Sequence, residues 1–168
     1  MEGSTTFKSG TYDVHILAVS TRDGAYPWDE IEARRQVERM DAWFAAETEG
    51  VFRFRLAGFQ VLPEYPGSLC GVEPAETHAA PEIKAIQPSA GAIDVLPVVV
   101  GPWPKDCDKS GQAWLGRPVA WVSVDSEYPT RAAMVLWHEV GHNLGLGHSA
   151  AIIPGNVAEP WPTGTYQP

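Results

Sequence analysis

Residues 129–149 read PTRAAMVLWHEVGHNLGLGHS, and their last twelve positions hold three of the five histidines in the chain. Pro129 and Thr130 suit a helix N-terminus, and Gly145 suits its end, so the spacing predicts a helix over 129–145. On it His138 and His142 lie four residues apart, about 40° around the axis, so both imidazoles leave one face a turn apart. Glu139 follows the first histidine directly, where its carboxylate can reach a water on a shared ion without displacing it. That makes it a base rather than a ligand. A helix cannot aim a residue six positions after His142 at the same point. The chain must turn back, Gly145 tolerates the left-handed conformation such a turn needs, and His148 then arrives as a third ligand. Three neutral imidazoles leave one tetrahedral position for water, which points to a catalytic zinc site. In the same stretch Leu144 and Leu146 read as core contacts, Gly141 as a point of close backbone approach, and Asn143 carries little signal.

Upstream, residues 12–20 (YDVHILAVS) are apolar at nearly every position and predict a strand covered on both faces, with His15 as a satisfied sheet histidine. Ala33, Val37, Met40 and Phe44 recur at helical spacing within 28–50, behind Asp29, Glu30 and Glu32 at the start and ahead of Gly50 at the end. Residues 51–63 alternate as a strand, with Phe52, Phe54 and Leu56 opposite Arg53 and Arg55. Residues 64–91 have no steady period and read as a long loop with one short helix; His78 within it reads as exposed and inert. Strands follow over 92–101, 110–117 and 119–125. A strand–helix–strand opening favours parallel strands, so the expected fold class is α/β (α+β), in a single domain without internal repeat.

The chain carries 21 acidic against 12 basic residues, a formal net charge of -9 with no basic patch to offset it. This excludes a phosphate backbone as an obvious partner. No run of about 18 apolar residues suggests a membrane span, and the expected state is a monomer. Cys70 and Cys107 both sit in loop-like stretches and read as one disulfide formed in an oxidising compartment, with two unpaired thiols as the alternative. A secreted or extracellular location follows from the disulfide reading, although MEGSTTFKSG at residues 1–10 lacks the features of a signal peptide.

The run from His138 to His148 fits HExxHxxGxxH, and on it the sequence resembles the metzincin clan of zinc metallopeptidases; HEVGHNLGLGHS is most similar to the gametolysin-like members, then the matrixins. The resemblance implies a twisted mixed sheet, a backing helix, an active-site helix, and an antiparallel edge strand that aligns peptide substrates. GQAWLG (111–116) resembles that strand, which puts Ala113 and Trp114 forward as substrate contacts, with Trp114 equally readable as an ordinary edge-strand aromatic. It implies Zn2+ held by His138, His142 and His148, a peptide or protein substrate, and Glu139 as the group that takes a proton from water and passes it to the leaving amine. Metzincins also place a methionine in a turn after the third histidine, whereas Met1, Met40 and Met134 all precede it here. On this resemblance residues 11–148 form the N-terminal lobe with the zinc helix, and 149–168 read as a remnant of the C-terminal lobe, the alternative being a minimal variant that does without the methionine turn. Weaker cleavage is then expected from these 168 residues than from a chain continuing past Pro168. The rival expectation is a truncated or degenerate metzincin-like domain that binds zinc or a protein partner without turnover. Hydrolysis of a small amide is a third, which would leave the edge strand without a use.

Overall fold

The computed structural model describes residues 8–146 and the backbone of two short strands beyond them. Five strands, β1 (Gly10–Ala18), β2 (Phe52–Val61), β3 (Ala92–Pro102), β4 (Gly111–Ala113) and β5 (Ala120–Val124), form one sheet in the order β2-β1-β3-β5-β4. All neighbours are parallel except β4, which runs antiparallel to β5 at the open edge. Four helices, α1 (Glu30–Glu47), α2 (Val72–His78), α3 (Ala80–Ala85) and α4 (Pro129–Asn143), cover it, and strands β6 (Ala150–Ala151) and β7 (Glu159–Pro160) form a separate antiparallel pair. The expected α/β class and the parallel pairing of the first two strands hold.

Side-chain alternation sorts the interior into two layers. Val14 and Ile16 of β1, Val98 and Val100 of β3 and Val122 of β5 pack with Val37, Met40 and Phe44 of α1 and with Leu136 and Val140 of α4. Leu17, Val99 and Trp121 point the other way, onto Leu69, Val72 and Ala75. A strand buried on both faces is therefore right for 12–18, as is the apolar stripe of the first helix. Trp43 and Trp137 stack with centroids 5.7 Å apart, tying α1 to α4 on the shared face.

The stretch 64–91 departs from its reading as a loop with one helix: it holds both α2 and α3. Each is under two full turns in length and has too few residues to display a period. The strand expected over 110–117 shrinks to Gly111–Ala113, because the chain turns immediately afterwards, with Arg117 N–H donating to the Trp114 carbonyl at 3.3 Å. Cys70 and Cys107 form the expected disulfide, their Cα atoms 5.8 Å apart. Chain entropy alone assigns closure of this loop about 4 kcal/mol. His15 lies over Gly58 of β2, half-buried, as a sheet histidine. His78 is not idle on the surface: it is half-buried, its Nε2 lies 2.8 Å from the Pro63 carbonyl, and its ring meets Tyr65 edge-on.

Candidate metal centre

Helix α4 brings the His138 and His142 rings together, T-shaped with centroids 4.5 Å apart and Nε2 atoms 3.0 Å apart. One ion with metal–nitrogen bonds of about 2.0–2.1 Å can touch both. The tautomer of neutral His142 follows from its Nδ1, which lies 2.7 Å from the Leu146 carbonyl, a group that can only accept, so in that ring Nδ1 donates and Nε2 holds the lone pair. The two Nε2 atoms are donors of the kind zinc takes. His148 lies outside the described residues.

The turn that exposes the Leu146 carbonyl to His142 is built by the helix end. Gly145 has φ 81°. Its N–H donates to the His142 carbonyl at 2.8 Å, and Leu146 N–H donates to Gly141 at 3.0 Å. These are the two bonds of a Schellman motif. The expected left-handed Gly145 is therefore present, and Leu144 is buried as expected. Leu146 is half exposed, so its backbone matters more here than its side chain. Among the described residues Gly141 has no close backbone neighbour; a Cβ there would meet Leu146 Cδ1 at an ordinary 3.7 Å.

Glu139 is only 6% exposed, and burial pushes its carboxyl up to about 8 from an ordinary 4.5. Strand β4 closes over it. A Cβ added at Gly111 would stand 2.8 Å from both Cγ and Oε1 of Glu139 and would also strike Val135. Glycine alone permits that approach. The same strand fixes which backbone groups face outward. Ser123 N–H donates to Ser110 at 2.9 Å and Trp114 N–H donates to Val119 at 3.3 Å. By antiparallel alternation, residues 110, 112 and 114 bond inward to β5, and Gly111 and Ala113 present N–H and C=O to the open edge.

Trp114 accordingly stands differently from its expected role. Its N–H is spent on Val119, and its carbonyl accepts from Arg117 N–H and from Asn143 Nδ2, each at 3.3 Å. Its indole points to the α2 side, where Nε1 donates to Glu76 at 2.7 Å beneath the Arg117 guanidinium, 5.1 Å from the ring centroid. No backbone group of Trp114 remains for a peptide. Sequence reasoning named Ala113 but missed Gly111 and Asn143, whose roles depend on another element lying against them. The only hint was their residue type, a glycine in a strand and an amide in a helix. A second cluster of potential ligands among the described residues, Cys70, Cys107 and Asp108, has both sulfurs committed to the disulfide.

No protein-family model and no curated protein matches the sequence. Solved structures do match. A chaperone–substrate complex aligns over 87% of this chain and 28% of its own, with 20% identity and a TM-score of 0.54. Metalloproteinase-II from Bacteroides fragilis aligns over 85% of this chain and 44% of its own, with 17% identity and a TM-score of 0.53. The chain shares the fold of these two structures over the aligned residues. An archaemetzincin from Methanopyrus kandleri aligns over 81% of this chain and 76% of its own at 20% identity, with a TM-score of 0.42. The chain therefore spans less than half the length of the first two structures it matches. No helix among the described residues is long and apolar enough to cross a membrane.

Proposed function

We propose that this chain is a zinc-dependent endopeptidase domain of metzincin type over residues 1–168, with zinc held by His138, His142 and His148 and with Glu139 as general base. The observation that carries the reading is the convergence of two imidazole Nε2 atoms, 3.0 Å apart, on the helix that also buries Glu139 against an open sheet edge. A structural zinc site has no need of a buried carboxyl beside two of its ligands.

When bound, zinc would acidify a water to near pH 7 and polarise a carbonyl. The chain's own residues supply the rest. Gly111 and Ala113 offer outward N–H and C=O groups, so an extended peptide can add as a strand antiparallel to β4. Glu139, under that strand, takes the proton from water and returns it to the departing amine, so that no net proton is consumed. Burial raises the affinity of this carboxyl for a proton above that of a solvated glutamate, the direction a group that accepts a proton from water needs. The disulfide is compatible with an extracellular site of action.

The test is metal analysis at neutral pH alongside hydrolysis of a mixed peptide library, with and without a chelator. The expected result is one zinc per chain and cleavage that stops on chelation and returns with added zinc. A chain without zinc would end the proposal. Stoichiometric zinc with no cleavage anywhere in the library would replace it with a non-enzymatic zinc-binding module.

A further inference from the structure

We propose that Asn143 is a positioning residue that fixes the height of the edge strand β4 over the zinc helix, with Gly111 as the second point of that contact. The inference rests on the peptidase reading, since it assigns β4 the task of holding a peptide. Its evidence is separate.

Asn143 is the last residue of α4 and is only 7% exposed. Its Nδ2 lies 2.6 Å from the Arg117 carbonyl, 2.9 Å from that of Val119 and 3.3 Å from that of Trp114. Two protons serve the two shorter bonds, and the third oxygen shares one. All three carbonyls belong to the turn that leaves β4 and enters β5. The main chain adds a fourth link, from Gly116 N–H to the His142 carbonyl at 2.8 Å. Two consecutive residues at the end of the helix, one of them a metal-site histidine, therefore grip the turn.

The amide is not present merely to fill space. Its Oδ1 is buried and has no hydrogen-bond partner among the described residues. A leucine would fill a similar volume without that unsatisfied oxygen. What leucine lacks is direction: a donor group aimed at carbonyl oxygens fixes both distance and angle, which apolar packing does not. The strand needs such a fix. It is three residues long and has one ladder neighbour, too little to hold its own position.

At the other end of β4, the missing side chain of Gly111 lets the backbone settle onto Glu139 and Val135. Asn143 holds one end down and Gly111 permits the other to descend. The outward groups of Gly111 and Ala113, which would carry the peptide, are thereby set at one distance from Glu139.

The experiment compares wild type with Asn143→Leu and Asn143→Asp, measuring zinc per chain, amide-hydrogen exchange by segment, and kinetics on an eight-residue peptide and on a dipeptide amide too short to lie along β4. Both variants should keep one zinc per chain. Exchange across 111–119 should accelerate at least about tenfold while that of β2 is unchanged. For the long peptide kcat/KM should fall by about tenfold to a hundredfold, the loss expected for misplacement near 1 Å, and by less for the dipeptide amide. If Asn143→Asp fails to fold, Asn143→Leu decides. Unchanged exchange across 111–119 overturns the proposal, as does faster exchange with equal losses on both substrates. Faster exchange in a chain whose wild type cleaves nothing refutes the peptidase reading and leaves the grip on the turn standing.

Discussion

Asp13 on β1 and Glu139 on α4 are both buried carboxyls, and their surroundings treat them in opposite ways. Burial alone would raise Asp13. Hydrogen bonds from Ser89 Oγ, from Arg55 at 2.7 Å and from Ser89 N–H at 2.7 Å outweigh it and hold the group below the usual carboxylate range. Glu139 has only the cost of burial and is pushed up to about 8. The first is a charge that the fold has made comfortable. The second bears the cost of burial with no compensating charge beside it among the described residues.

The helices that share the sheet face repeat the contrast. Helix α1 opens on Asp29, whose carboxylate accepts from Glu32 N–H at 2.8 Å, and its solvent side pairs Glu30 with Arg34 and Glu32 with Arg35. Helix α4 has no side-chain cap and no acid in its first turn. It buries Glu139 and Asn143, leaves Trp137 Nε1 and Asn143 Oδ1 without hydrogen-bond partners among the described residues, and exposes Met134. Each unsatisfied polar atom costs about 1–3 kcal/mol. Helix α1 carries one such atom, the buried Gln36 Oε1, and exposes Ile31 and Trp43, whereas among the described residues α4 carries two and lacks the cap and surface pairs that support α1. The larger departure from local rules therefore falls on the helix of the candidate site.

The contrast is sharpest in mutants that separate function from stability. His142→Ala should abolish zinc retention and with it all hydrolysis, while the metal-free protein keeps its fold; equal zinc in variant and wild type, measured by metal analysis, would remove the site. Phe44→Ala, on α1, should cost about 3–5 kcal/mol in denaturant unfolding, yet leave zinc per folded chain at its wild-type value. Asp13→Asn should cost about 2 kcal/mol at neutral pH through its lost charged hydrogen bonds. The sign of its pH dependence is fixed. A carboxyl lowered in the folded state stabilises above its unfolded value near 3.9, and that contribution disappears as pH falls through the folded value. Wild type should therefore lose its advantage over Asp13→Asn in acid melts below about pH 4, whereas parallel curves would show that the Asp13 cluster is not the source. Asp29→Ala should be mildest, about 1 kcal/mol, with kinetics untouched.

Much of this arrangement is legible in the sequence. Ala33, Val37, Met40 and Phe44 announce α1 by period alone, because one face of a long helix must be apolar to lie on a sheet. His138, Glu139, His142 and Gly145 are legible for a similar reason: helix periodicity places the first three, and the φ of 81° at the fourth is one that glycine adopts freely. The helices α2 and α3 are not, being too short for a period to show. Gly111 and Asn143 are hidden for a different reason. Their partners lie 28 residues downstream and 24 to 29 residues upstream, in elements whose approach is a property of the folded sheet. The inward pairing of Trp114 is hidden for the same reason, since alternation along β4 is set by where its pairing with β5 begins, and a three-residue strand gives no pattern from which to count.

The most direct test replaces the carboxyl of Glu139 by an amide of the same shape. With zinc content matched, Glu139→Gln should retain one zinc per chain and lose hydrolysis of a cleavable peptide by about a hundredfold to ten-thousandfold, the range for removal of a general base. Zinc retained with near-normal cleavage would contradict the account, because another residue would then be moving the proton. Zinc lost along with the activity would contradict it too, since Glu139 would then be part of the metal's binding rather than of its chemistry.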